Sequence, residues 1–97
     1  MLTGKQKRYL RSEAHHLNPI FQVGKGGVNE NMIKQISEAL EARELIKVSI
    51  LQNCDDDKDT VADELASGTN ANIVQIIGLT IVLYKESKEN KKIELPR

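Results

Sequence analysis

Aromatic side chains are scarce in this chain of 97 residues, where only Tyr9, Phe21 and Tyr84 occur. The hydrophobic core must therefore be built mostly from aliphatic residues. Domains that read single strands of nucleic acid by stacking bases on aromatic side chains are disfavoured for the same reason.

Cysteine and long apolar runs are scarce as well. A single cysteine, Cys54, excludes an intramolecular disulfide and a metal site of several cysteines, so the reducing cytoplasm is the expected location. The most apolar run, residues 73–84, is shorter than the roughly 20 residues of a membrane span and contains Gln75 and Thr80. The first residues lack the apolar block of a signal peptide. We therefore expect no membrane partner.

The overall composition is that of an ordinary globular protein. Hydrophobic residues make up 39% of the chain and charged residues 29%. A chain of this length holds one hydrophobic core, because single domains typically use about 100 to 200 residues. We predict one domain over residues 1–97, with residues 86–97 as a polar, solvated C-terminal tail.

The net charge of zero conceals a segregation of charge along the chain. Residues 1–28 carry five basic side chains against one acidic, residues 29–71 four against ten, and residues 72–97 five against three. A cationic face opposed to an anionic face would orient an approaching polyanion. Uneven solvated charge is the alternative interpretation.

Hydrophobic periodicity predicts three helices and four strands. The helices are expected at about residues 3–17, 29–44 and 57–67, and the strands at residues 20–23, 45–51, 73–77 and 79–84. The capping-box spacing of Thr3 and Gln6, Asn29 as N-cap, and Gly68 as stop signal define the helix ends. The order α-β-α-β-α-β-β indicates an α/β fold with a four-stranded mixed sheet packed against three helices.

The most informative segment is a glycine loop, formed by Gly24, Lys25, Gly26 and Gly27, between a predicted strand and a predicted helix. Glycine lets a ligand approach the backbone, and free N–H groups at a helix start favour an anion. The Rossmann pattern fails because Asn29 stands where glycine is needed, and a P-loop fails too. A cradle for one or two phosphates remains, and a plain tight turn is the alternative.

The first helix presents a basic face. At about 100° per residue, Lys7, Arg8, Arg11 and His15 lie within roughly 100° of one another and no acid interrupts them. An ordinary wet helix surface is the alternative, although such surfaces usually mix both signs. We predict that these cations follow the same polyanion as the glycine loop.

Catalytic and metal-binding patterns are missing from the sequence. An EF-hand loop beginning at Asp55 would need glycine at position 60 and glutamate at position 66, where Thr60 and Ala66 stand. No nucleophile motif is present, and Cys54 has no basic neighbour to activate it. We predict a protein that is not an enzyme and that holds no metal or small-molecule cofactor.

Four segments in order resemble one known family. They are residues 5–11 (KQKRYLR), the Gly-x-x-Gly loop, residues 44–48 (ELIKV), and residues 74–78 with 82–85 (VQIIG and VLYK), followed by a terminal LPR. The chain resembles the CRM domain, named for chloroplast RNA splicing and ribosome maturation, in its stand-alone bacterial YhbY-like form. The resemblance implies a compact α/β domain similar to the C-terminal domain of translation initiation factor three. Asn70 stands where the family commonly has glycine, and asparagine tolerates the left-handed backbone.

The resemblance also implies a function. Its Gly-x-x-Gly loop is likened to that of KH domains and is held to contact RNA, and stand-alone bacterial members are associated with precursors of the large ribosomal subunit. We therefore expect a cytoplasmic monomer that docks on structured ribosomal RNA. The expected contacts are Gly24, Lys25, Gly26, Gly27, Lys5, Lys7, Arg8, Arg11 and Lys85. A module that binds a basic ribosomal protein through an acidic third helix is the alternative, and a small-molecule phosphate enzyme comes third.

Overall fold

The computed structural model describes residues 2–97. Its elements are α1 (Gly4–Ala14), β1 (Phe21–Val23), α2 (Glu30–Arg43), β2 (Leu45–Ile50), α3 (Lys58–Thr69), β3 (Asn72–Ile77) and β4 (Thr80–Tyr84). The strands form one sheet in the order β1-β2-β4-β3. β1 runs parallel to β2, and the other two pairings are antiparallel. The predicted element order and the mixed sheet are confirmed.

Helices cover both faces of the sheet. α2 and α3 pack on one face, where Ile36, Leu40 and Leu65 join alternate strand residues in the larger core cluster. α1 packs on the other face, where Leu10 and Ala14 meet the remaining strand residues in a smaller cluster. The alternation along β2 is strict, because side chains of successive strand residues point to opposite faces. We refer to these faces as the α2/α3 face and the α1 face.

Local signals account for most of the element ends. The capping box of Thr3 and Gln6, and the side-chain N-caps Asn29 and Asp57, are all formed. Gly78 has a φ of 56° and opens the two-residue turn between β3 and β4. α1 ends at Ala14 rather than residue 17, because the chain turns there so that the N–H of Ile20 can reach the carbonyl of Lys47 at 3.0 Å.

The end of α3 differs from the prediction. Gly68 does not stop the helix, which continues to Thr69 and is capped by Asn70 in the left-handed region at φ 62°. Gly68 instead permits close packing of the two helices on the α2/α3 face, since a Cβ there would lie 2.5 Å from Cδ1 of Ile33. Its role is steric, and the periodic pattern alone could not distinguish that role from a stop signal.

Most side chains of the C-terminal tail, residues 86–97, are exposed, but its backbone is held against the fold. It folds back over the sheet end where β2 begins and β4 ends, and Ile93 and Leu95 pack against the α1-face cluster. Two carboxylates of the α2 end, Glu41 and Glu44, accept hydrogen bonds from its backbone. No helix within residues 2–97 is long and apolar enough to cross a membrane.

Candidate functional site

The glycine loop leaves the end of β1 as a tight turn. The N–H of Gly27 donates to the carbonyl of Gly24 at 3.0 Å, and Gly27 has a φ of 70° that favours glycine. Lys25 and Gly26 at the tip are exposed. A Cβ at Gly26 would meet no atom within 4 Å, so the tip is accessible to a ligand.

Gly27 is less accessible to a phosphate than the sequence predicts. Its N–H is already used within the turn, and the residue itself is buried. A carboxylate oxygen of Asp56 lies 2.8 Å from where its Cβ would be. That negative charge disfavours a phosphate beside Gly27. The accessible part of the cradle is therefore limited to Lys25 and Gly26.

The start of α2 is also less available than the sequence indicates. The side chain of Asn29 accepts from the N–H of Met32 at 2.9 Å and so satisfies one donor of the first turn. Glu30 is exposed in that turn and adds a negative charge. Backbone hydrogen bonding by Thr60 also lowers the pKa of Asp57 in the adjacent acidic loop. Anions are thus favoured at the loop tip more than at the helix start.

The orientation of α1 follows from its contacts with the tail. The side-chain amide of Gln6 donates to the carbonyl of Pro96 at 3.0 Å, and Glu13 lines a shallow pocket with Ile93. One flank of α1 therefore faces the tail. Lys7 and Arg11 lie on the other flank, about 100° or more around the helix from those two residues. Because the tail lies over the end of the sheet where β2 begins, we infer that this second flank faces the opposite end, which carries the glycine loop.

Within residues 2–97, α1 is the one helix on the α1 face, and it leaves part of that face uncovered. We call this surface the open half-sheet, defined by Gln22, Lys47, Ser49 and Thr80, all exposed or half-buried. Each alternates with a residue of the α2/α3 core, which places all four side chains on the α1 face. The four strands contain no acidic residue, and Lys47 is their single charge.

Most of the predicted site residues fall on this side of the molecule. Lys7 and Arg11 border the open half-sheet, Arg8 lies further around the same arc, and Lys5 is exposed on the outer surface of α1. Lys85 does not join them. It follows Tyr84 at the opposite end of the sheet, and its ammonium donates to the carbonyl of Thr69 at 3.1 Å, at the end of α3.

Sequence reasoning missed two parts of this surface. Lys47 is one such part, although the alternation of β2 itself indicates that this side chain faces away from the main core. Leu51, Ile77 and Leu79 are exposed large aliphatic residues at the glycine-loop end of the sheet. Their positions in strand-rich segments concealed them, because such runs usually indicate burial.

Comparison with known proteins agrees with the architecture. The solved solution structure of the protein SAV1595 from Staphylococcus aureus superposes with a TM-score of 0.82 at 67% identity, covering 99% of this chain and 100% of that one. The fold is thus that of a known small α/β domain. Residues 2–85 match the CRS1/YhbY (CRM) domain, and the chain belongs to that family.

Two relatives cover nearly the whole chain. One, from Bacillus subtilis, is called "Probable RNA-binding protein YqeI" and is 77% identical over 96 residues, which are 99% of this chain and 100% of the relative. The other, from Haemophilus influenzae, is called "RNA-binding protein" and is 41% identical over 96 residues, which are 99% of this chain and 96% of the relative.

Proposed function

We propose that this protein binds RNA without catalysing a reaction, and that it docks on structured ribosomal RNA during assembly of the large ribosomal subunit in the cytoplasm. The tip of the glycine loop and the cationic flank of α1 are the contacts for the phosphate backbone. The names of the relatives support RNA as the ligand. The ribosomal assignment rests on the resemblance to stand-alone bacterial CRM proteins.

One observation carries the proposal: the open half-sheet lies between the glycine loop and the cationic flank of α1. The open half-sheet contains Lys47 and is bordered by Lys25, Lys7 and Arg11. Its strands supply no negative charge. The acids of α3 belong to the opposite face of the sheet, and Asp56 bounds the surface beside Gly27. A polyanion is favoured on the α1 face alone.

The salt dependence of RNA binding tests the proposal. The double variant Lys7→Gln/Arg11→Gln should lower the magnitude of the slope of log K against log salt by about 1.5. Each phosphate contact that is lost leaves roughly 0.7 to 0.9 of a counterion on the RNA instead of releasing it. Fluorescence anisotropy with a labelled ribosomal RNA hairpin, measured over a range of salt concentrations, reports this slope.

A matched control removes two exposed lysines from the other face of the sheet. Lys34→Gln/Lys58→Gln changes the net charge equally but lies on α2 and α3. Its slope should stay at the wild-type value. Equal losses from both double variants would show that only net charge matters, and the proposed surface would then be wrong.

Crosslinking in cells tests the ribosomal part of the proposal. Crosslinks should concentrate in precursors of the large-subunit RNA and should decrease in the Lys7→Gln/Arg11→Gln variant. Crosslinks spread evenly over messenger and transfer RNA would reject the ribosomal assignment while leaving RNA binding intact.

The acidic face of α3 supports a second candidate function. Asp59, Asp63 and Glu64 are exposed on this helix, and the single ion pair found within residues 2–97 joins Lys91 to Glu86 in the tail. A basic ribosomal protein would find complementary charge there. RNA binding that is absent or nearly independent of salt would favour this function.

A further inference from the structure

Three exposed aliphatic side chains lie together at the glycine-loop end of the sheet. We call Leu51, Ile77 and Leu79 the apolar rim; they are 38%, 54% and 42% exposed. Ile77 and Leu79 flank the residue that opens the β3–β4 turn, Gly78, and Leu51 follows the last residue of β2. The aliphatic side chains exposed on this small domain are thus concentrated at one end of its sheet.

Backbone contacts make the rim continuous with the glycine loop. The N–H of Ile50 donates to the carbonyl of Leu79 at 2.7 Å, so the turn is tied to the end of β2. The N–H of Leu51 donates to the carbonyl of Val23 at 2.9 Å, which ties β2 to the start of the loop. A Cβ at Gly24 would lie 3.6 Å from Cδ1 of Leu51. These contacts place the rim residues at the same end of the sheet as the glycine loop, with Leu51 next to Gly24.

The charges around the rim indicate which partner it suits. Lys25 stands at the loop end of the rim and Lys47 on the adjacent strand surface, whereas the carboxylate of Asp56 lies against Gly27, at the base of the loop. A partner on the rim must thus offer an apolar surface flanked by negative charge on one side. An unstacked nucleobase, joined to its own phosphates, has this chemistry, and leucine and isoleucine side chains insert between partly unstacked bases in other nucleic-acid complexes.

We propose that the apolar rim receives unpaired nucleobases, so that the RNA ligand is a helix interrupted by a bulge or an internal loop. This inference rests on the proposed function. The cations hold the phosphates of the paired part, and the rim contacts a base that the interruption leaves unstacked. Recognition by aliphatic side chains explains how a chain with three aromatic residues could still distinguish unpaired from paired RNA.

Two RNA probes test the inference: a fully paired hairpin stem of about 16 base pairs, and the same stem with a bulge of unpaired nucleotides. The wild-type protein should bind the bulged stem about fivefold more tightly, which equals the lower end of what a base stacked on an aromatic side chain contributes. The triple variant Leu51→Ser/Ile77→Thr/Leu79→Ser should lose this preference. Its affinity for the paired stem and its salt slope should remain unchanged.

Ile20→Thr provides the matched control. Ile20 is also an exposed aliphatic residue, at 40%, but it precedes β1 and so lies at the other end of that strand. Its substitution should leave the preference for the bulged stem intact. Circular dichroism should show that all variants are folded.

The other outcomes separate the two proposals. Equal binding of both stems by the wild-type protein would overturn the rim inference and leave the proposed function standing. Binding of neither stem at low salt would reject the proposed function itself. If sedimentation shows a wild-type dimer that the triple variant converts to a monomer, the rim is a contact between two copies of the chain, and the inference is wrong.

Discussion

Polar groups are hydrogen-bonded within the fold at one end of the sheet and exposed to solvent at the other end. At the end where β2 begins, buried Glu44 accepts hydrogen bonds from the N–H groups of Ser87, Lys92 and Ile93. At the end where the glycine loop leaves β1, Lys25 and Gly26 face solvent. Charge at the first end is therefore hydrogen-bonded within the fold, whereas charge at the second end is available to a partner.

This difference distinguishes charged side chains that stabilise the fold from charged side chains that can bind a partner. Lys85 and Lys25 are the same residue type, and both were predicted to contact RNA. Lys85 donates to the last turn of α3 and is half-buried, whereas Lys25 stands exposed at a loop tip. The ammonium of Lys85 is therefore already used in a hydrogen bond within the fold. The comparison predicts that changes at the tail end affect stability, and that changes at the loop end affect binding.

The largest expected effect comes from Glu44→Ala at the tail end. The substitution leaves three backbone N–H groups without their acceptor in a buried region, and such losses cost about 2–4 kcal/mol of unfolding free energy in total. Urea denaturation followed by circular dichroism measures the loss. RNA affinity should be retained under conditions where the variant is folded.

Glu38→Ala is the control for that prediction, since Glu38 is exposed on the same helix and should change stability by less than about 0.5 kcal/mol. Two results would contradict the comparison. One is a Glu44 variant as stable as the Glu38 variant, and the other is a folded Glu44 variant that no longer binds RNA.

Acid should release the tail. Hydrogen bonds, led by that from the N–H of Lys88, hold the pKa of Glu41 at about 2, against an ordinary value of 4.5. Burial raises the pKa of Glu44, but the N–H donors of the tail outweigh burial and lower it. Both groups bind fewer protons when folded, so both stabilise the fold above about pH 4.5 and lose that contribution as the pH falls, in the case of Glu41 as the pH approaches 2.

Nuclear magnetic resonance can follow this release through the amide signals of Lys88 and Ile93. Their shifts should move toward unfolded values within that acidic range, ahead of the amides of the α2/α3 core. Tail amides that keep their native shifts at pH 2 would show that the carboxylates do not hold the tail.

Gly26→Asp should produce the largest effect at the glycine-loop end. The position has no neighbour within 4 Å and no positive φ, so the variant should fold normally. Its carboxylate would stand where we propose that phosphate binds, and RNA affinity should fall about tenfold because like charges repel at close range. Anisotropy with the ribosomal RNA hairpin and thermal unfolding are measured in parallel.

Gln35→Glu adds the same charge on exposed α2 and should weaken RNA binding by less than about twofold, through net charge alone. If both variants weaken binding equally, the loop tip is not a contact. Gly27→Asp is a poorer test, since its φ of 70° and the nearby Asp56 would destabilise the loop whether or not RNA binds there.

Local sequence signals predicted the fold well. The capping residues Asn29 and Asp57 and the turn at Gly78 act through neighbours a few positions away, so their meaning is readable along the chain. The docking of the C-terminal tail could not be predicted, because its hydrogen-bond partners are distant in sequence: the N–H of Ser87 donates to Glu44 at a separation of 43 residues. Polar composition indicated solvation and could not show that two carboxylates supply acceptors.

The candidate site divides in the same way. The glycine loop and the arc of Lys7, Arg8 and Arg11 are readable because each is a contiguous or periodic pattern. The face of the sheet on which α1 packs is determined by tertiary contacts, which local sequence does not reveal. This packing makes Lys47 part of the candidate RNA-binding surface and leaves Lys85 outside it. The contact of Asp56 with Gly27 also joins segments far apart in the chain, so the restriction of the cradle emerged only from the structure.

Asp56→Asn should have the smallest effect on RNA affinity, and it tests the electrostatics of the glycine loop most directly. The substitution removes the negative charge beside Gly27 with little change in volume, so RNA should bind about two- to threefold more tightly at low salt, with less gain as salt screens the charge. Asp63→Asn on α3 removes an equal charge from the opposite face of the sheet and serves as the control. Anisotropy titrations at two salt concentrations compare the variants. A gain confined to Asp56 means that this carboxylate limits the phosphate cradle locally, whereas equal gains from both variants mean that RNA responds only to the net charge of the protein.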